Sequence, residues 1–417
     1  MRNSPFWWVL IGFMVLLDIY VFQAVKLLAS PAGPRTKSIV VYGYWIISIL
    51  ALVILLVLPY LKFDSQHKIL QTTIFAVIAG IFFAKLIAAF FFLLDDIRRL
   101  FQWLFTRIFY NKKNTEGAVV QTDAISRSVF LTWVGTLAGT GLFGTLVYGF
   151  GNKYRYQVKK VKLSFDNLPD AFKGIKIVQV SDIHSGSLAD KQAVMKGIQK
   201  IMEQKADLVL FTGDLVNNKA EEMEGFMDVF DKLQAPLGVY STLGNHDYGD
   251  YVTWGNKDEK VQNLQRVINV HKELGWRLLM DEHIILERGG EQIALLGVQN
   301  ISGRRGFHSY GNMSKAYSGS ESIPFKILMS HDPSHWDAEV RKEFADIDLT
   351  LSGHTHGMQF GVELPGFKWS PIQYVYKQWA GLYETGKQKL YVNRGFGFIG
   401  YPGRVGILPE ITVIELA

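Results

Sequence analysis

Five short runs of the chain end in residues that could hold a metal ion or move a proton. Ser181-Asp182-Ile183-His184, Gly213-Asp214, Gly244-Asn245-His246-Asp247, Ser330-His331-Asp332 and Gly353-His354-Thr355-His356-Gly357 gather carboxylates, imidazoles and one amide. A donor set of that kind, free of thiolate, suits Mn2+, Fe or Zn2+. The sequence holds no cysteine, which excludes a disulfide scaffold, a thiolate metal site and a Cys nucleophile. One Asp-x-His by itself is more often a capped turn than a ligand pair. Five clusters in this order, each following an apolar run, make coincidence a poor explanation.

The apolar runs must position those clusters. Residues 174–180, 207–212, 238–243, 325–329 and 347–351 are short, rich in Val, Ile and Leu, and bounded by Gly, Asp and Ser. They read as buried strands of an α/β domain spanning residues 153–417. Ligands at the C-terminal ends of neighbouring strands converge at one edge of a sheet, where open α/β sheets build their sites. Glycines before Asp214, Asn245 and His354 relieve the tight turns that bring backbone close to such a site.

The order D-x-H, G-D, G-N-H-D, H, G-H-x-H resembles the motif series of the calcineurin-like metallophosphoesterases. The resemblance is closer to a bacterial membrane-associated branch that includes cell-wall-linked exported phosphoesterases and UDP-2,3-diacylglucosamine hydrolases. Ser181–His184, Gly353–Gly357 and Pro409-Glu410-Ile411-Thr412 carry it, over about residues 160–417. It implies a two-sheet β-sandwich flanked by helices and two divalent metal ions, Mn2+ foremost, with Fe or Zn2+ as alternatives. Asp182, His184 and His356 would hold one ion, Asn245, His331 and His354 the other, and Asp214 would bridge them. The resemblance also implies hydrolysis by metal-activated water. His246 would steady phosphoryl oxygens or protonate the leaving group, and Asp247 would orient its imidazole.

The pattern departs from the family in two places. Met358 stands where many members have a second glycine, and Gln299-Asn300 where many carry an acidic pair. Both bear on pocket shape rather than on ligands. His67, His271, His283, His308 and His335 fall outside ligand-spaced clusters and read as surface or loop residues. Arg304, Arg305 and Arg404 are candidate phosphate clamps, the first two more plainly solvated surface. Residues 366–383 hold Phe367, Trp369, Tyr374, Tyr376, Trp379 and Tyr383, either packed over the sheet edge or forming a greasy, membrane-facing lid.

The first third has a different composition. Residues 1–150 carry 13 Lys/Arg against 6 Asp/Glu, leaving 31 against 32 in the rest of the 417-residue chain. The basic excess thus lies off the α/β domain, which argues against nucleic acid as a partner. Four apolar stretches, about 6–28, 39–61, 69–94 and 128–151, are each long enough to cross a bilayer core about 30 Å thick. They make residues 1–152 an α-helical membrane domain. Asp18 and Lys85 lie at bilayer depth and read as an ion pair between the first and third spans. Gly135 and Gly139 are spaced for close helix packing.

Counted over the connectors, positive charge ties at eight on each side, so it does not orient the chain. Ser126-Arg127-Ser128-Val129-Phe130-Leu131 looks like a degraded twin-arginine export signal and tilts the α/β domain towards the outside of the cytoplasm. The expected function is a membrane-anchored dinuclear phosphoesterase, with membrane lipids as partners and a phosphorylated lipid or envelope component as substrate. One alternative is a UDP-2,3-diacylglucosamine pyrophosphatase. A non-catalytic membrane scaffold or sensor is the other, and it would be marked by lost ligands.

Overall fold

The computed structural model describes residues 5–60, 68–109 and 127–417, and the chain divides into two compact units, Met1–Tyr148 and Gly149–Ala417. The first holds α1 (Pro5–Ala29), α2 (Pro34–Val57), α3 (Lys68–Phe109) and α4 (Arg127–Gly149). All four are long and apolar enough to cross a membrane. Three have nearly the expected limits, but α3 runs well past Leu94. The apolar signal stops at Asp95-Asp96, yet Arg98 and Arg99 pair with Asp95 three and four residues back, and such pairs carry a helix through a polar stretch. Arg2, Lys62, His67, Lys112, Lys113 and Ser126 lie outside the described residues.

The expected pair is present. Lys85 Nζ donates to Asp18 Oδ1 and, at 2.7 Å, to Ser48 Oγ, while Tyr44 OH donates to the Asp18 carbonyl at 2.8 Å. Span two therefore helps to satisfy a charge pair that the sequence assigned to spans one and three alone. Gly135 and Gly139 of α4 are also used: a Cβ on Gly135 would lie 2.9 Å from the Ala88 carbonyl, and one on Gly139 would strike the Ala84 carbonyl.

The second unit is a sandwich of two six-stranded sheets. One sheet holds β1 (Gln157–Leu163), β2 (Lys176–Val180), β3 (Leu208–Phe211), β4 (Val239–Ser241), β5 (Arg277–Leu278) and β14 (Glu410–Leu416), in the order β1-β14-β2-β3-β4-β5. The other holds β6 (Glu282–Arg288), β7 (Glu291–Gly297), β8 (Lys326–Met329), β9 (Leu349–Ser352), β12 (Gly381–Thr385) and β13 (Gln388–Val392), ordered β12-β13-β9-β8-β7-β6. A separate hairpin joins β10 (Val362–Leu364) to β11 (Phe367–Trp369).

Strand alternation explains the layers. Ile177, Leu208 and Leu210 of the first sheet meet Leu295, Ile327, Leu349 and Leu351 of the second in one core. The intervening Val178, Val180, Val209 and Phe211 face the other way, onto helices α5 (Lys191–Met202), α6 (Met227–Phe230) and α7 (Lys257–Glu273). The far side of the second sheet is covered by α8 (Met313–Tyr317) and by Trp336 and Val340. Strands buried on both faces read as continuous apolar runs, which is why their positions were visible in the sequence.

Two of the histidines read as surface residues are in fact buried. His271 sits inside α7 against Phe211 and Trp276. His335 lies between Ser330 Oγ at 2.8 Å and the Glu339 carboxylate at 2.9 Å. Neither position carries a sequence signal that distinguishes an amphipathic face from a polar one.

Candidate metal centre

Every predicted ligand lies just beyond a strand end, on one rim of the sandwich. Asp182 and His184 follow β2, Asp214 follows β3, Asn245 follows β4, His331 follows β8, and His354 and His356 follow β9. Asp182, His184, Asp214, His354 and His356 all hold left-handed backbone, with φ between 48° and 73°. For residues with a Cβ this conformation is costly and clusters at functional sites. No residue type marks it in advance, since the glycines that signal such turns stand beside these positions.

The donor atoms form two groups, Asp182–His184–His356 and Asp214–His331–His354. In the first, His184 Nε2 lies 3.0 Å from His356 Nε2, which is 3.2 Å from Asp182 Oδ1. In the second, His354 Nδ1 lies 2.8 Å from Asn245 Oδ1 and 3.3 Å from His331 Nε2. Asp214 Oδ2 stands between the groups, 3.1 Å from His331 Nε2 and 3.5 Å from His184 Nε2. Nitrogen and oxygen ligands about 2.1 Å from a shared divalent ion are themselves about 3.0–3.4 Å apart. The observed spacings, in donor groups made of nitrogen and oxygen alone, fit a divalent ion in each group, with Asp214 Oδ2 lying between the two.

Electrostatics prepare the same site. Burial lowers the pKa of His184, His354 and His356, keeping these imidazoles neutral and able to ligate. Burial opposes ionisation of Asp182 and Asp214, but the neighbouring histidines overcome it and hold both carboxyls well below the usual range. His331 is likewise buried, yet Asp214 raises it to about 10, so its Nε2 keeps a proton at the place a cation would take.

The remaining ring nitrogens are fixed from behind. His331 Nδ1 donates to the Thr212 carbonyl at 2.7 Å, which leaves Nε2 as the ligand atom. His354 Nε2 lies 2.9 Å from Tyr376 OH, leaving Nδ1. Partners of this kind set tautomer and ring orientation. Asn245 Nδ2 donates to Tyr251 OH at 2.8 Å, which turns its Oδ1 inward. Tyr251 and Tyr376 come from loops without periodic pattern, and nothing in the sequence singled out Tyr251.

Two expected roles change. Asp247 does not orient the His246 ring. Its carboxylate accepts from the backbone N–H groups of Gly244, Asp214, Leu215 and Val216, at 2.8–3.2 Å. His246 Nδ1 instead donates to the Asn217 carbonyl at 2.8 Å, with the Tyr251 ring tilted against its own at a centroid distance of 4.5 Å. Arg404 is no phosphate clamp. It is fully buried and donates to the carbonyls of His356, Arg394, Gly395 and Gly397, with Nη2 3.2 Å from His356 Nδ1. Arg304 lies nearer the mouth, its guanidinium 4.8 Å over the Tyr376 ring. Arg305 is exposed.

Met358 keeps a glycine-like backbone at φ +55° and leaves its side chain largely exposed. The aromatic segment divides. Tyr376 and Trp379 are buried, whereas Phe367 and Tyr374 point to the outside.

Comparison with known proteins agrees with this geometry. Residues 175–358 match the family model described as "Calcineurin-like phosphoesterase". Residues 1–152 match the one described as "Probable Calcineurin-like phosphoesterase, transmembrane domain". The metallophosphoesterase YkuE of Bacillus subtilis (strain 168) is 30% identical over 293 residues, 66% of this chain and 95% of that protein. A Danio rerio "Transmembrane protein with metallophosphoesterase domain" is 27% identical, over 65% of this chain and 60% of that protein. A Helicobacter pylori (strain J99) metallophosphoesterase is 29% identical, over 63% and 64%. With both family models matched and a four-helix membrane domain ahead of the candidate site, the chain belongs to the calcineurin-like phosphoesterase family and is a multi-pass membrane metallophosphoesterase.

Proposed function

We propose that this enzyme hydrolyses a phosphate ester of a lipid or envelope component through a dinuclear centre, with its catalytic domain outside the cytoplasm. The position of Asp214 Oδ2, 3.1 and 3.5 Å from one imidazole nitrogen of each group, carries the dinuclear reading. Two divalent ions at this place supply a Lewis-acid clamp and a nucleophile of lowered pKa. The chain's own residues do the rest. Asp182 and Asp214 hold negative charge in a buried setting. Thr212, Tyr376 and Tyr251 keep the imidazoles and the Asn245 amide aimed inward.

His246 is only partly buried and its Nδ1 is committed to Asn217, so Nε2 is the atom that meets phosphoryl or leaving-group oxygen. Metal analysis of the purified full-length protein, paired with turnover of a chromogenic phosphodiester in added Mn2+, Zn2+ or Fe2+, tests the reading. About two ions per chain are expected, and Asp214→Asn should lose metal and turnover together. A fully active Asp214→Asn variant would overturn the bridging assignment.

A further inference from the structure

The β10–β11 hairpin is folded inside out for a protein surrounded by water. Register pairs Val362 with Trp369, Leu364 with Phe367, and Glu363 with Lys368. Alternation puts the four apolar side chains on one face and the two charges on the other. A hairpin lying on a soluble domain turns its apolar face to the body. Here the charged face is tied down instead: Glu363 pairs with Lys159 at 3.0 Å and Arg394 at 2.8 Å, and Lys368 donates to the Ala380 carbonyl.

The apolar face is left outside, with Leu364 61% and Phe367 56% exposed. Tyr374, 77% exposed, and Val375 extend it. Pro365 and Gly366, the latter at φ +78°, make the tight turn at its tip. The other exposed large apolar residues of this unit, such as Met202 and Val261, are scattered. A contiguous patch of this sort marks an interaction site.

Its surroundings identify the occupant. Gly149–Asn152, the first residues of the second unit and directly continuous in the chain with the fourth candidate span, pack on the loop of residues 401–405: Arg404 N donates to the Gly149 carbonyl at 2.9 Å, and Asn152 Nδ2 to the Arg404 carbonyl at 3.2 Å. The same loop holds the hairpin's base, since Gly361 N donates to Val405 O at 2.9 Å and Val405 N to Gln359 O at 2.8 Å. Within the second unit, one short loop thus joins its first residues, where the chain leaves the fourth candidate span, to the start of the apolar hairpin. The metal centre is equally near in the chain, because His356 precedes the hairpin and Tyr376, next to Val375, touches His354.

We propose that the apolar face of the β10–β11 hairpin, with Tyr374 and Val375, dips into the interface of the bilayer that the chain's own spans cross, so that the metal centre receives phosphate esters presented by that bilayer. Aromatic and aliphatic side chains at headgroup depth are how an interfacial element binds. The substrate clause rests on the phosphoesterase reading above; the bilayer contact does not.

The cysteine-free chain permits single-site labelling. Leu364→Cys and Phe367→Cys variants of the full-length protein, reconstituted in phosphatidylcholine–phosphatidylglycerol vesicles, take a spin label, with Val261→Cys on α7 as the water-facing control. Labels at 364 and 367 should collide more with lipid-soluble oxygen than with a water-soluble nickel chelate, and the label at 261 the reverse. The pattern of 261 at all three sites overturns the proposal. So does shielding of 364 and 367 from both reagents, which would mean a protein partner or second copy. For the substrate clause, Leu364→Asp with Phe367→Asp should lower the ratio of vesicle-lipid to soluble-diester turnover roughly tenfold or more, because docking supplies effective concentration. Lipid contact at both labels, with soluble-diester turnover but none of any vesicle-borne phosphate ester, overturns the substrate clause alone.

Discussion

Asp247 ties two loops of the candidate site together by accepting four backbone N–H groups, while the ring of His246 beside it is fixed through Nδ1 on the Asn217 carbonyl. The two should separate experimentally. His246→Ala is expected to lower turnover by ~10²–10⁴-fold, the usual worth of acid–base help, with both metals retained and the melting temperature little changed. Loss of both metals would make it a ligand instead. Asp247→Ala should destabilise the fold by about 3 kcal/mol or more, since it strands four backbone N–H groups and each buried group left without a partner costs about 1–3 kcal/mol; an unchanged melting temperature would contradict this. His271 offers a pH-dependent test away from the metal centre. Burial alone lowers its pKa from 6.5 to about 3, and neither ring nitrogen has a hydrogen-bond partner among the described residues. It is neutral in the folded state and charged in the unfolded state below pH 6.5, so its contribution is full above 6.5 and is lost as pH falls towards 3. The stability of His271→Phe relative to the parent should therefore rise on acidification, by up to about 1.4 kcal/mol per pH unit; a pH-independent difference would show that His271 is not the cause. At this scale the seven candidate ligands were legible because each sits in a strand-end motif, and the structure brings six of them into two groups with Asn245 beside the second. The sequence misled over Asp247, because adjacency to a histidine suggests pairing while the turn's own amides compete for the carboxylate.

Among the elements, the five strands that lead into the candidate ligands (β2, β3, β4, β8 and β9) were legible because their runs are short, apolar and unbroken, whereas half-exposed strands such as β1, β6 and β12 were not. The last part of α3 was not, since helix propensity and short-range ion pairs, rather than hydropathy, continue it past Leu94. The inverted hairpin was invisible too: alternation reveals that a hairpin has two unlike faces, and only the ion pairs of Glu363 show which one is turned in. The fourth span offers a graded test of packing. A Cβ on Gly139 meets backbone of α3, whereas one on Gly141 meets nothing within 4 Å. Gly139→Val should lower the melting temperature of the detergent-solubilised chain clearly, and Gly141→Val should leave it near the parent value. Equal behaviour of the two would show that α3 and α4 do not rely on that close approach.

For the whole molecule, membrane anchoring and metal chemistry were both readable, one from composition and the other from spacing, whereas orientation was not, because the flanking charges balance. A reporter placed after Ala417 decides it. With the catalytic domain outside the cytoplasm, fused alkaline phosphatase is active and a cytoplasm-only fluorophore dark. The reverse pattern would move the domain inside and favour an activated, acylated nucleotide sugar as substrate. The ligand sources carry a further consequence. Each metal group draws on both sheets: Asp182 and His184 follow a strand of one, His356 a strand of the other, and Asn245 faces His331 and His354 in the same way. In a chain without cysteine, ions bound there would act as rivets through the sandwich. They would close loops between positions far apart in the chain, as disulfides do elsewhere, and would add metal supply to the apolar core as a source of cohesion between the sheets.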